Sequence, residues 1–247
     1  MSERPGNAHT IAIARPSPVR IALAWGVHLF TALGAVLAVL ALLAISEGDF
    51  RTAAMLMLAA LVIDSADGTM ARAVGVREVL PGFDGRRLDD IIDFLNYVIV
   101  PVLFMLAAGS LPHWSVGAIP ILASCYGFSQ VAAKTGDNFF LGFPSYWNFV
   151  ALYAWGLGVS PAIGTLAVVV LSILVFVPLK YAYPSLLPPR QRWLNAAVGI
   201  LWLAVFTTCL LAPERVARFH LLGLSLAYPI YYFVLSWWLV RRNESST

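Results

Sequence analysis

Charged residues are scarce in this sequence. Asp, Glu, Lys and Arg together make up only 12% of the 247 residues, whereas 60% of the residues are hydrophobic and the mean hydropathy is +0.80. This composition excludes an ordinary soluble globular protein. The basic residues are also not clustered along the chain, which argues against nucleic-acid binding. The composition therefore indicates an integral membrane protein.

Cysteine is equally rare, with only Cys125 and Cys209. Both lie in apolar segments without the spacing of metal ligands, so we expect buried structural thiols. The sequence also lacks internal repeats and low-complexity linkers. Their absence argues against a repeat-built transporter and against a tethered soluble domain.

Long apolar runs follow one another along the chain. A helix needs roughly 20 apolar residues to cross a hydrocarbon core of about 30 Å, and a chain in lipid must satisfy its backbone hydrogen bonds internally. We therefore predict an all-α, polytopic integral membrane protein with one membrane domain, residues 20–241, between two polar tails, residues 1–19 and 242–247. The runs predict eight transmembrane helices, at residues 20–46, 50–73, 86–109, 114–134, 145–159, 161–182, 191–211 and 215–241.

The basic residues indicate the orientation in the membrane. An even number of spans places both termini on one side, and that side would hold Arg15, Arg20, Arg72, Arg77, Arg86, Arg87, Lys134, Lys180, Arg190, Arg192, Arg241 and Arg242. The opposite side would hold only Arg51, Arg215 and Arg218. Because positive residues favour the cytoplasmic side, we expect cytoplasmic termini and a cytoplasmic loop between the second and third helices.

Six of the eight aspartates fall between residues 64 and 93, at the cytoplasmic ends of the second and third helices. At 100° per residue, one face of the second helix carries, within about 140°, the residues Asp64, Asp67, Gly68, Ala71 and Arg72. On the third helix, Gly85, Asp89 and Asp93 lie four residues apart and share a face, from which Asp90 points away. Since the two helices are consecutive and antiparallel, we expect these two faces to converge.

Four converging carboxylates, those of Asp64, Asp67, Asp89 and Asp93, repel one another unless cations compensate them. Oxygen ligands suit hard ions such as Mg²⁺, Mn²⁺ or Ca²⁺, and four carboxylates suffice for two of them. The alternative is a set of exposed helix-end acids, because acids are favourable near a helix N-terminus. That alternative explains Asp89 or Asp90, but not Asp64 and Asp67 near the end of the second helix.

Gly68 and Ala71 leave a notch beside the carboxylates. Small residues at these positions allow close packing of membrane helices. They also allow entry of a flat ligand such as a nucleotide, with Arg72 as a phosphate partner. The spacing leaves both interpretations open.

The segments DSADGTMAR and GRRLDDIID resemble the signature of the CDP-alcohol phosphotransferase family, D-x2-D-G-x2-A-R … G-x3-D-x3-D. Every fixed position matches, namely Asp64, Asp67, Gly68, Ala71, Arg72, Gly85, Asp89 and Asp93. The 12 residues between Arg72 and Gly85 exceed the commoner spacing. This longer spacing, the eight predicted spans and the segment FFLGFPSYWNF are similar to one branch of the family, the bacterial phosphatidylcholine synthases.

The resemblance implies an enzyme of the bacterial inner membrane in which choline attacks CDP-diacylglycerol, giving phosphatidylcholine and CMP. It implies divalent metal, a pair of Mn²⁺ or Mg²⁺ ions, on Asp64, Asp67 and Asp89, with Asp93 as the general base that also touches metal. It assigns CDP binding to Asp64, Gly68, Ala71, Arg72 and Gly85. His28 and Thr31, an H-x-x-T pattern similar to the N-x-x-T of some relatives, join this group. Family members are often homodimers, and the resemblance allows the same here.

Choline requires a site for a quaternary ammonium group, which aromatic faces supply, with one acid nearby. The segment TGDNFFLGFPSYWNF is unusually aromatic for a cytoplasmic loop. Our candidates for choline binding are Tyr97, Tyr126, Asp137, Phe139, Phe140, Tyr146, Trp147 and Asn148. For each aromatic residue the alternative is an interfacial belt.

Two other functions stay open at this point. The same transfer could use another alcohol such as serine. In a different class, the aspartates could line the pathway of a cation transporter. A transporter would be expected to carry acids near mid-span or broken helices at the midplane, whereas these aspartates lie at one rim.

Overall fold

The computed structural model describes residues 16–131, 139–182, 189–211 and 218–244, and it is almost entirely helical. The helices are α1 (Pro18–Ser46), α2 (Phe50–Val74), α3 (Val76–Val79), α4 (Gly85–Phe94), α5 (Val100–Ala107), α6 (Trp114–Ser129), α7 (Trp147–Gly156), α8 (Pro161–Phe176), α9 (Pro189–Leu211), α10 (Arg218–Ser225) and α11 (Ala227–Glu244). A single π-helical turn, Leu95–Ile99, joins α4 to α5.

Within these described residues, five segments are long and apolar enough to cross a membrane. They are Pro18–Ser46, Phe50–Val74, Gly85–Ala107, Arg190–Leu211 and His220–Arg242. The helix Pro161–Phe176 is apolar but shorter. The prediction of an all-helical membrane protein is thus confirmed, whereas the number of eight spans stays a prediction.

Capping residues define both ends of α2 and the start of α4. Asp49 starts α2, because its carboxylate accepts hydrogen bonds from the Thr52 amide (3.0 Å) and the Thr52 hydroxyl (2.6 Å). These bonds lower the pKa of Asp49, as expected for an N-cap acid. The helix ends at Gly75, whose φ of +67° suits glycine. Asp84 starts α4 by accepting from the Arg87 amide at 3.0 Å.

Prolines explain why two of the predicted helices differ from the structure: one ends earlier than predicted and the other is interrupted. The predicted helix 161–182 stops at Phe176, and Pro178 follows, which cannot continue a helix. The predicted helix 215–241 is divided between Ser225 and Ala227, because Pro229 lacks the amide that would bond back to the preceding turn. The predicted helix 114–134 also ends earlier, at Ser129.

Two short strands lie where no strand was expected. β1 (Phe139–Leu141) pairs antiparallel with β2 (Lys180–Ala182), with Phe139 opposite Ala182. Gly142 follows β1 with a φ of +78°, and a methyl group there would collide with the Val175 carbonyl. This close approach ties the chain entering α7 to the end of α8.

The interior combines small and large apolar residues. Alanines of α1 and α2, such as Ala38 and Ala53, are fully buried and let these helices pack closely. Val98, Val100, Val102, Phe104 and Met105 are each 0% exposed, whereas Leu103 between them is exposed. Cys209 is buried as predicted, but Cys125 is exposed, because the neighbouring Ala123 and Ser124 occupy the inward face of α6.

Candidate active site

Three aspartates from two helices converge in the structure. Asp64 of α2 and Asp89 and Asp93 of α4 each place one carboxylate oxygen within 4.8 Å of the others. All three side chains are partly buried. They line a small pocket enclosed by α1, α2, α4 and the π-helical turn. Such a group of oxygen ligands fits a hard divalent cation.

Asp67 lies one turn beyond Asp64 and lines the same pocket. Its side chain is only 5% exposed, and the Thr31 side chain of α1 hydrogen-bonds to it. It is not one of the three residues whose oxygens converge. Asp90 lies elsewhere, in a groove between α4 and α6 that also contains Arg87 and Cys125.

The π-helical turn contributes two polar residues to the site. Tyr97 is buried, and its hydroxyl donates a hydrogen bond of 2.6 Å to the Asp64 carboxylate. Asn96 donates from its amide nitrogen to the carbonyls of Gly34 (3.0 Å) and Ile92 (3.1 Å). Tyr97 therefore orients one carboxylate of the cluster, while Asn96 ties α1 to the helix that carries the other two.

The contact between α1 and α4 depends on Gly34. A methyl group at Gly34 would lie 2.6 Å from a methyl carbon of Ile92, one residue from Asp93. We therefore expect Gly34→Ala to destabilise the protein by about 1 to 3 kcal/mol through overpacking and to displace the carboxylates of α4. Thermal unfolding of the detergent-solubilised protein and CMP release would both measure the effect.

Gly26→Ala is the matched control for Gly34→Ala on the same helix. A methyl group at Gly26 meets no described atom within 4 Å, so this substitution should be neutral or slightly stabilising. Equal losses in the two variants would show that helix propensity, rather than contact with Ile92, sets the effect.

Of the residues predicted to bind CDP, Asp64 and Thr31 line this pocket, whereas the others do not. A methyl group at Gly68 would meet, among the described atoms, only the Arg72 guanidinium, at 3.4 Å, so the predicted notch is open there. Arg72 is exposed and donates to the Thr69 hydroxyl at 3.0 Å. Ala71 is partly buried and packs against the small cluster around Val76.

His28 covers Gly85 at the start of α4. A methyl group at Gly85 would lie 2.5 Å from the His28 ring, so only glycine fits beneath it. The ring also contacts Phe83 (4.4 Å between centroids) and Trp25 (5.8 Å). His28 is 7% exposed, and its Nε2 has no hydrogen-bond partner among the described residues.

No protein-family model matches the chain. A phosphatidylcholine synthase of Legionella bozemanae is 40% identical over 212 residues, which are 83% of this chain and 98% of the relative. A phosphatidylcholine synthase of Pseudomonas aeruginosa is 37% identical over 231 residues, which are 92% of this chain and 96% of the relative. The chain belongs to the phosphatidylcholine synthase family.

Membership of the phosphatidylcholine synthase family rests on most of the chain, whereas the signature covers only residues 64–93. A further relative, the phosphatidylcholine synthase of Brucella melitensis, is 34% identical over 218 residues, 86% of this chain and 78% of the relative. The resemblance inferred from the signature and its longer spacing is confirmed.

Two of the residues predicted to bind choline, Tyr97 and Tyr146, lie near the aspartates. The ring centroids of Tyr97 and Tyr146 lie 6.1 Å apart, and Tyr97 bonds to Asp64. Tyr146 is partly buried.

The structure places the other predicted choline residues in different surroundings. Trp147 is 0% exposed and donates from its indole nitrogen to the Ser124 hydroxyl at 2.8 Å. Asn148 is buried, and its side-chain oxygen accepts from the Phe149 amide. Both side chains thus lie inside the protein in the first turn of α7.

The remaining candidates lie on the strands and on α6. Phe139 packs with Ala182 and Leu239 in a separate apolar cluster. Phe140, partly buried, lies opposite Tyr181 in the strand pair. Tyr126 is exposed and its ring contacts Phe176. Asp137 lies outside the described residues.

The sequence did not indicate that Tyr232 of the last helix contacts Tyr146. The ring of Tyr232, on α11, lies 5.9 Å from the ring of Tyr146. Tyr232 is separated from Tyr146 by 86 positions along the chain, and no local spacing connects them. Asn96 was also missed, because a single asparagine in an apolar helix carries no motif.

Proposed function

We propose that this protein transfers the phosphatidyl group of CDP-diacylglycerol to choline, forming phosphatidylcholine and CMP. Family membership along most of the chain supports this reaction. The observation that carries the proposal is the convergence of Asp64, Asp89 and Asp93. Three carboxylates at one pocket of an apolar helical protein suit a reaction on a diphosphate that needs cationic compensation.

The described carboxylates fit a divalent cation, because three of their oxygens lie within 4.8 Å of one another. In the proposal, Asp64, Asp89 and Asp93 hold Mn²⁺ or Mg²⁺, and Asp67, in the same pocket, completes the ligands for a second ion. Such ions neutralise negative charge on the diphosphate and on the departing CMP. The Tyr97 hydroxyl holds Asp64 in place for this task.

Asp93 acts in the proposal as the general base. Its carboxylate takes the proton from the choline hydroxyl, and the choline oxygen forms a bond to the β-phosphorus. The bond from that phosphorus to the oxygen of CMP breaks, so no covalent enzyme intermediate is needed. Asp93 suits the role because it lies on the face shared by the cluster and lines its pocket.

The CDP group is proposed to lie beside the open notch at Gly68. Asp64, Gly68, Ala71, Arg72 and Gly85 would contact it, with Arg72 paired to phosphate. His28 and Thr31 of α1 would complete this side. Support comes from the unpartnered Nε2 of His28 among the described residues and from the hydrogen bond between Thr31 and Asp67.

The membrane arrangement is part of the same proposal. We infer eight spans within residues 20–241, both termini in the cytoplasm, and a location in the bacterial inner membrane. The site would then face the cytoplasm at the ends of α2 and α4. The excess of basic residues on that side supports the orientation.

An acceptor panel tests the proposed reaction. Purified full-length protein in detergent, supplied with CDP-diacylglycerol and Mn²⁺ or Mg²⁺, should release CMP and form labelled lipid with choline. Serine and glycerol phosphate should give little product. Formation of lipid from serine but not from choline would show that serine is the acceptor. If no alcohol led to CMP release, the proposed transfer would be ruled out. Cation uptake into proteoliposomes without CMP release would favour a transporter instead.

A further inference from the structure

A group of aromatic side chains continues from the aspartate pocket toward the C-terminal helices. The Tyr146 ring contacts the Tyr232 ring of α11 at 5.9 Å and the Phe149 ring at 5.9 Å. Tyr228, also on α11, stacks on Trp202 of α9 with centroids 5.8 Å apart and planes inclined by 30°. We call Tyr146, Tyr228 and Tyr232 the tyrosine wall.

Hydrogen bonds hold the tyrosine wall in place. The Tyr232 hydroxyl donates to the Ala182 carbonyl at 2.8 Å and also hydrogen-bonds to Tyr146. Ser236, one turn later, accepts from the Ala182 amide at 3.0 Å. The strand pair therefore anchors α11 through both backbone groups of Ala182, and the ring of Tyr232 is fixed rather than free to rotate.

A buried amide oxygen lies beside the wall. The Asn195 side chain of α9 is 6% exposed and hydrogen-bonds to Tyr228. Its Oδ1 has no hydrogen-bond partner among the described residues. A buried carbonyl oxygen without a donor costs free energy unless a ligand compensates it.

A quaternary ammonium group matches these features. It has no N–H to donate, so aromatic faces and the negative ends of carbonyl dipoles are the groups that stabilise it in place of water. Choline carries its hydroxyl only two carbons from this group. Tyr97 connects the two regions in the structure, since its hydroxyl donates to Asp64 and its ring centroid lies 6.1 Å from that of Tyr146.

We propose that Tyr146 and Tyr232, with Asn195 beside Tyr228, bind the trimethylammonium group of the acceptor and so select it. This assignment rests on the proposed function, and it places acceptor choice on the C-terminal helices rather than on the loop that precedes α7. Asp93 would then meet the hydroxyl end of the same molecule.

Tyr232→Leu and Tyr232→Phe test the assignment with two acceptors that differ only in charge. Choline and its uncharged carbon analogue, 3,3-dimethylbutan-1-ol, have the same shape. In Tyr232→Leu the KM for choline should rise roughly tenfold, while the KM for the analogue and for CDP-diacylglycerol should change little. Tyr232→Phe keeps the ring and should stay close to wild type.

A control variant elsewhere in the core separates this effect from a general loss of structure. Phe104→Leu removes another buried aromatic ring, which contacts Phe50 and Trp155 rather than the wall, and it should leave the preference for choline unchanged. Equal losses with both acceptors in Tyr232→Leu, or equal behaviour of the leucine and phenylalanine variants, would overturn the assignment.

A binding measurement keeps the test independent of turnover. Calorimetry with tetramethylammonium should show binding to the wild-type protein and weaker binding to Asn195→Ala and Tyr232→Leu. If the wild type releases no CMP with choline, the proposed reaction fails, yet this binding pattern would still support the ammonium site. Absence of binding to an active wild type would overturn the site and leave the reaction standing.

Discussion

Asp93→Asn is expected to lower choline-dependent CMP release by at least about 100-fold, the scale of general-base catalysis. Asparagine keeps the size of the side chain but cannot accept the proton of the choline hydroxyl. Because Asp93 is partly buried beside Asp64 and Asp89, removing one negative charge also relieves repulsion. The variant should therefore fold, and thermal unfolding should show this while CMP release is lost.

Asp90→Asn is the matched control for Asp93→Asn. Asp90 lies three residues earlier on α4, in the groove with Arg87 and Cys125, and its loss should leave transfer nearly unchanged. Substantial activity in Asp93→Asn would show that Asp93 is not the general base. Equal inactivation of both variants would instead point to a requirement for acidic charge along α4.

Removal of divalent cations is the second change with a large expected effect. Treatment with EDTA should stop CMP release, and Mn²⁺ or Mg²⁺ should restore it, because the diphosphate would otherwise face three carboxylates without compensation. Asp64→Asn should raise the Mn²⁺ concentration needed for half-maximal activity by at least about tenfold. Electron paramagnetic resonance of Mn²⁺ would report binding without turnover.

The control for Asp64→Asn is Asp49→Asn on the same helix. Asp49 caps the opposite end of α2, so its loss should affect helix stability but not the Mn²⁺ requirement. Full activity after exhaustive removal of metal would contradict the proposed centre. An unchanged Mn²⁺ requirement in Asp64→Asn would exclude Asp64 as a ligand.

The sequence predicts the aspartate cluster well because its determinants are local. Positions four residues apart on a helix share a face whatever the tertiary structure, and the segment between Val74 and Gly85, which contains only the short helix α3, keeps the start of α4 near the end of α2. Asp64, Asp89 and Asp93 follow from these two facts. The membrane-spanning character also depends on local sequence, since the length of an apolar run is enough to predict a transmembrane helix.

The proposed acceptor site could not be derived in this way. Tyr146 and Tyr232 come together only because β1 pairs with β2 and α11 packs beside that pair, and such long-range contacts leave no periodic trace. Aromatic composition drew attention to Trp147, yet its burial and its bond to Ser124 came from packing. Cys125 was misjudged for the same reason, because the inward face of α6 is chosen by its neighbours.

The π-helical turn Leu95–Ile99 changes the direction in which side chains point along the apolar segment Gly85–Ala107. A π turn contains one residue more than an α turn, so the face that carries Asp89 and Asp93 does not run on as the same face of α5. The carboxylate pattern of α4 and the apolar pattern of α5 can therefore each meet their own neighbours. Reading Gly85–Ala107 as a single regular α-helix would therefore rotate the residues after Ile99 by about 100° from their actual directions.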